Sequence, residues 1–239
     1  AVPGSSFTVH SLLMQGAAPA PPADPPVRQP VPSHILPPKP VAEVETTLAA
    51  QGWRLGSAAP NGDCAPLSIL AGHELSAQEA ALPSAATTER VLHVRTSAVN
   101  LIAGTATLGG IPSATVRDQE GLPKASGAAQ RFFKSWKKAG HWRSTKGGAS
   151  SGFLLGCAVH VQRQVAVLAL NDAGNFEDPA RVYGMRNGIE LRRTPGRGGD
   201  PETIPCYFPV EITILLEQLR SNPSAISLLK YNATNHFDP

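Results

Sequence analysis

The sequence predicts an α/β domain, a central β-sheet flanked by helices, on three observations. Apolar residues recur at helical spacing through the first two thirds, strand-like apolar runs crowd the last third, and no internal repeat interrupts that order. A chain of 239 residues is long enough to close a sizeable hydrophobic core. In order, "VAEVETTLAAQG" has helical spacing at Val41, Val44 and Leu48 and a glycine stop at Gly52, and "WRLGSA" reads as a strand. An apolar helix is expected from Cys64 to about Gly72. Another runs through "TTERVLHVRTSAVNLIAG", with Thr88 as N-cap and Val91, Val94, Ala98 and Ile102 on its apolar face. A glycine- and proline-bearing loop follows, then an amphipathic helix in "AAQRFFKSWKKAG" and a buried one in "ASSGFLLGCAVHVQ". Strands are expected in "QVAVLAL", "ARVYGM", "GIELRR" and "CYFPVEI", a short helix in "ITILLEQLR", and a final strand in "AISLLKYN".

Residues 1–40 stand apart. The stretch 17–40, "AAPAPPADPPVRQPVPSHILPPKP", holds close to half of the 23 prolines and cannot sustain a helix or a sheet ladder, because proline lacks the donor N–H. It reads as an extended linker, either an unstructured tether or a ligand for a proline-binding module, ahead of a domain spanning 41–239. A chain whose first residue is not Met reads as a fragment with its targeting signals elsewhere, and the opening "AVPGSSFTVHSLLMQG" lacks the positive start of a signal peptide. No apolar stretch approaches the roughly 20 residues that cross a bilayer. The net charge of +3 falls short of the dense basic field that non-specific nucleic-acid binding uses. Three cysteines in no metal spacing argue against a disulfide framework and a four-ligand zinc site. The histidines His73, His93, His141 and His160 form no H-E-x-x-H pattern, so a metalloprotease is not expected.

Chemistry concentrates at two places. In "NGDCAPLSIL", residues 61–70, Cys64 stands where a helix begins, and the preceding Asn-Gly lets the backbone turn sharply and aim N–H groups inward. In "ISLLKYNATNHFDP" a strand and a polar turn lead to His236, with Asp238 two residues on. Residues i and i+2 of an extended stretch share a side, so Asp238 can hold the tautomer of His236, and a histidine so held can take a thiol proton. Helix N-termini and a neighbouring His⁺ both favour a thiolate. Cys157 and Cys206 sit inside apolar stretches and read as core.

With these residues in view, "NGDC" followed by an apolar helix, together with "LLKYNATNHFDP", resembles the OTU (ovarian tumour) family of cysteine proteases, which remove ubiquitin or ubiquitin-like modifiers. That family opens with Asp-Gly-(Asn/Ser/Asp)-Cys and closes with a strand leading into Asn-His-Tyr-Asp. The stretch "KAGHWRSTKGGASSGFLLGCAVHVQRQVAVLAL" is similar to its middle block, so the likeness runs from about residue 45 to the end. It implies an OTU-type, papain-like cysteine protease fold with Cys64 as nucleophile, His236 as general base and Asp238 orienting it, a role Asn235 or Asn232 shares in an alternative assignment. Asn61, Gly62 and Asp63 would support the oxyanion hole. The sequence departs from the family where its Asp, three residues before the cysteine, falls on Asn61, and where Ala65-Pro66 follows Cys64; proline in a first helical turn is favourable.

The resemblance implies a deubiquitinase, a thiol-dependent hydrolase acting on ubiquitin, polyubiquitin or a ubiquitin-like modifier, monomeric, without cofactor, metal, nucleic acid or membrane. Its site of action would be intracellular, in the host cytoplasm if it is a pathogen effector or viral protease. Two rivals are a protease that processes its own parent chain and a non-catalytic ubiquitin-binding module. The basic, aromatic run 131–148 reads as a solvated helix face or a surface that meets ubiquitin, and "RRTPGRGGDPETIP" as a loop near the substrate.

Overall fold

The structure is a computed structural model that describes residues 40–122, 126–141, 149–184, 208–221, 224–232, 234 and 236–239. All of them fall in one compact unit, Pro32–Pro239. The chain order is α1 (Ala42–Ala50), α2 (Cys64–Ala71), α3 (Ala77–Ala81), α4 (Ala85–Gly104), a small hairpin of β1 (Thr107–Leu108) and β2 (Ile111–Pro112), α5 (Ser113–Gln119), α6 (Ser126–Trp136) and α7 (Ser151–Val161). Then come β3 (Val165–Leu170), β4 (Phe176–Tyr183), β5 (Phe208–Val210), α8 (Ile212–Arg220), β6 (Ile226–Tyr231) and β7 (His236–Asp238). The fold is mixed α/β. Among the described residues no helix is long and apolar enough to cross a membrane.

The five-stranded sheet has the order β5-β4-β3-β6-β7, with β3 and β6 parallel and the other neighbours antiparallel. β3 lies at its centre with both faces covered, which is why VAVLAL reads as a continuous apolar run rather than an alternating one. On one face Val165, Val167, Ile226, Leu228 and Phe237 join a core built with α2, α4 and α7. On the other, Ala166, Leu168, Leu170, Leu229 and Tyr231 pack with Val44 and Leu48 of α1 and with Leu215, Leu216 and Leu219 of α8. The helices α4 and α7 approach closely at Gly156, where a Cβ would lie 2.9 Å from the Ala98 carbonyl oxygen.

Several expectations need correction. "WRLGSA" forms no strand. Its backbone instead runs to the end of β7, where Gly56 N–H donates to the Pro239 carbonyl and Ala58 N–H to the Asp238 carboxylate. The long helix α4 starts two residues before the stretch assigned to it, with Ser84 as N-cap accepting from Thr87 N–H, while Thr88 sits inside the helix and turns its hydroxyl to the Ser84 carbonyl. Local hydrogen bonding decided this, because serine and threonine compete for the same role within one turn. α3, set by a Ser76/Glu79 capping box, was not anticipated, and the expected loop after α4 contains β1, β2 and α5. The strand "AISLLKYN" is β6 and is not the last: β7 follows and pairs with it. "GIELRR", Cys206, Asn235, residues 142–148 of the basic run and the whole of 192–205 lie outside the described residues.

Candidate active site

Three elements build the site. α2 brings Cys64 at its first residue, and residues four apart share a helix face, so Ser68 lies one turn behind it. The Ser68 hydroxyl donates to the Phe237 carbonyl at 3.0 Å, which fixes α2 against β7. Alternation along β7 sends Phe237 into the α2 side of the sheet and turns His236 and Asp238 the other way.

His236 and Asp238 are both buried, and Asp238 Oδ1 lies 2.9 Å from His236 Nε2. The same oxygen accepts the Ala58 N–H at 2.8 Å. Cys64, partly exposed, stands close enough to the imidazole to influence its titration. Since Asp238 occupies Nε2, Nδ1 is the nitrogen left for the thiol. Burial alone would drive the imidazole toward its neutral form, but the hydrogen bond to Asp238, the nearby Cys64 and the pull of their charges outweigh it, and the His236 pKa is raised to about 9. Tyr231, opposite His236 in the β6/β7 register, stacks at 6.0 Å in a tilted arrangement. Its phenol also bonds Asp238, and burial together with that carboxylate pushes its pKa up. Asp238 is thus held by the Ala58 N–H and the Tyr231 hydroxyl while it holds the histidine.

The loop before Cys64 is held from below. Asp63 occupies the N-cap position of α2 yet makes no capping hydrogen bond. Its carboxylate is committed instead to a buried ion pair, 2.7 Å from Arg95 Nη1, and to the Gly140 N–H at 2.8 Å. Burial pushes the Asp63 carboxyl up, with the Arg95 charge and the Gly140 N–H opposing. Arg95 is wholly buried, donates Nε–H to the Trp136 carbonyl, and lies over the Phe153 ring. Pro66 has no N–H and the Leu67 N–H donates to the Asp63 carbonyl, so the unused cap leaves the N–H groups of Cys64 and Ala65 beside the thiol. Asn61 closes the loop on itself: its carboxamide oxygen accepts the Asp63 N–H at 2.9 Å. Gly62 supplies the positive φ of +84° that the turn requires. Gly140, at φ +65°, packs so near that a Cβ would stand 3.0 Å from the Asn61 carbonyl oxygen.

Of the residues singled out from sequence, Cys64, His236 and Asp238 come together, and Asn61, Gly62 and Asp63 form the adjoining loop. Asn232 does not join them: it lines a cavity on the opposite face. Cys157 is fully buried. Sequence reading missed Ala58, Ser68, Arg95, Gly140 and Tyr231. Arg95 carried a signal, since it interrupts the apolar stripe of α4 between Val94 and Ala98. Ala58 and Gly140 act through backbone N–H groups, and Ser68 and Tyr231 meet partners that only the fold brings beside them, which no sequence pattern announces. Among the described residues no group of three or more His, Cys, Asp or Glu is placed to hold a metal ion. Comparison with family models, with curated proteins and with solved structures finds no match to this chain.

Proposed function

We propose that the protein is a cysteine protease with an OTU-type, papain-like fold that hydrolyses the isopeptide or peptide bond after the C-terminal tail of ubiquitin or a ubiquitin-like modifier. The observation that carries the protease reading is the juxtaposition of Cys64, His236 and Asp238, a thiol beside a buried imidazole that a carboxylate holds by Nε2. The choice of ubiquitin rests on the resemblance of the NGDC and NHFD segments. In the reaction the thiol proton passes to His236 and Sγ attacks the scissile carbonyl carbon. The N–H groups of Cys64 and Ala65 receive the negative oxygen. Collapse of the tetrahedral species expels the amine, which takes the proton from His236, and leaves an acyl group on Cys64 as a thioester. Water, deprotonated by His236, then attacks the thioester, releasing the tail carboxylate and restoring the thiol. Action on ubiquitin conjugates implies a site of action inside cells.

The test is labelling by ubiquitin bearing a C-terminal electrophile. An adduct with the parent protein that disappears in Cys64→Ala and weakens strongly in His236→Ala is the expected result. Absence of any adduct from the folded parent protein would overturn the assignment to ubiquitin.

A further inference from the structure

Among the described helices, α2, α3, α4 and α7 are each preceded by a serine or aspartate, residue types that cap helices through the side chain. The three serines do so. Ser76, Ser84 and Ser150 stand in extended backbone and accept the N–H of the third residue of their helices, Glu79, Thr87 and Phe153. Asp63, before α2, stands instead at φ −118° and ψ 12° and caps nothing. The third residue of α2 is Pro66, which has no N–H, so the N–H within reach of a capping group at position 63 is that of the second residue, Ala65. That N–H meets no acceptor among the described residues and lies next to the thiol-bearing Cys64.

Both carboxylate oxygens of Asp63 are held elsewhere. Oδ1 lies 2.7 Å from Arg95 Nη1, and Oδ2 accepts the Gly140 N–H at 2.8 Å. Arg95 is itself fixed, because its Nε–H donates to the Trp136 carbonyl at 3.1 Å and its guanidinium carbon lies 5.7 Å from the centroid of the Phe153 ring. Residues 136 and 140 thus give an acceptor to the arginine and a donor to the aspartate. A buried ion pair adds little stability over an apolar pair of similar volume, so stability gives no reason for an arginine in the apolar stripe of α4. Where the Asp63 carboxylate is kept does give one.

We propose that Arg95 is a positioning residue for the reaction at Cys64: by holding the Asp63 carboxylate, it keeps the Ala65 N–H uncapped for the negative oxygen of the tetrahedral species. The oxyanion role rests on the protease reading, whereas the cap does not. Two double variants that bury no lone charge test both. Asp63→Asn with Arg95→Met has a carboxamide that can cap α2, and Asp63→Ala with Arg95→Met has no capping group. Amide hydrogen exchange at Ala65 is expected to be about fivefold slower in the Asn variant than in the Ala variant, the scale of one capping bond, and as fast in the parent protein as in the Ala variant. Acetylation by p-nitrophenyl acetate, with Cys64→Ala as blank, reads the oxyanion: Sγ bonds to the ester carbonyl carbon, its proton passes to His236, and the C–O bond breaks to release p-nitrophenolate. The Asn variant is expected to acetylate at least about tenfold more slowly than the Ala variant, while iodoacetamide, which alkylates Sγ without forming an oxyanion, modifies both at similar rates. Equal exchange at Ala65 in the two folded variants would overturn the proposal, and so would equal acetylation beside an acetylated parent. A parent protein that is alkylated at Cys64 yet takes up no acetyl group would overturn the protease reading and the proposal with it.

Discussion

The Ser68 hydroxyl and the Phe237 carbonyl, 169 positions apart in the chain, are joined by a buried hydrogen bond of 3.0 Å. Cys64 lies one helical turn before the serine and His236 one residue before the phenylalanine, so this bond sets the register in which thiol and imidazole meet. Ser68→Ala leaves a buried carbonyl with one acceptor site unfilled and is expected to cost about 1–2 kcal/mol, read from urea unfolding, and to slow labelling of Cys64. Unchanged stability and labelling would mean that packing alone fixes α2 on β7.

The Asp63–Arg95 pair has both charges buried, so removing one partner strands the other. Arg95→Met is expected to destabilise the domain by about 3–5 kcal/mol, while the double variant Asp63→Asn with Arg95→Met recovers much of the loss. A double-mutant cycle in chemical denaturation measures the coupling. Additive losses would mean that the pair does not act as a unit.

His236 carries a folded-state pKa of about 9 against an ordinary value of 6.5, so the folded protein binds its proton more tightly than the unfolded chain does. The stabilisation from this group is therefore fully present below about pH 6.5 and is lost as pH rises through about 9. Urea midpoints of the parent protein are expected to fall across that window by more than those of His236→Asn. In Asp238→Asn, NMR titration of His236 is expected to move down toward 6.5.

Cysteine alkylation separates the two described thiols. Cys64 is partly exposed, whereas Cys157 is fully buried and burial pushes its pKa up. Brief treatment with iodoacetamide followed by peptide mapping is expected to modify Cys64 and spare Cys157 until the protein is unfolded.

The parts of this fold that were legible in the sequence are those where one local rule acted alone. The helices α1, α2 and α7 and the strand β3 follow from apolar spacing and length, and β6 from its β-rich run. Where two local rules competed, the reading slipped: Ser84 rather than Thr88 caps α4, and "WRLGSA" has strand composition but spends its N–H groups on Pro239 and Asp238. At the site, Cys64, His236 and Asp238 were legible because their chemistry is carried by side chains within two short motifs. The supports at Ala58, Ser68 and Gly140 depend on which distant carboxylate or carbonyl arrives beside them, and that is decided by tertiary packing.

β7 is a three-residue strand at the edge of the sheet, yet it carries the imidazole and carboxylate of the candidate site. During synthesis the thiol emerges long before this strand, and a chain folded only as far as β6 exposes a cysteine with no base. On the proposed protease reading, competence to react is thus a property of the finished sheet. By the same geometry, any event that lifts this one edge strand switches the site off while leaving most of the core in place.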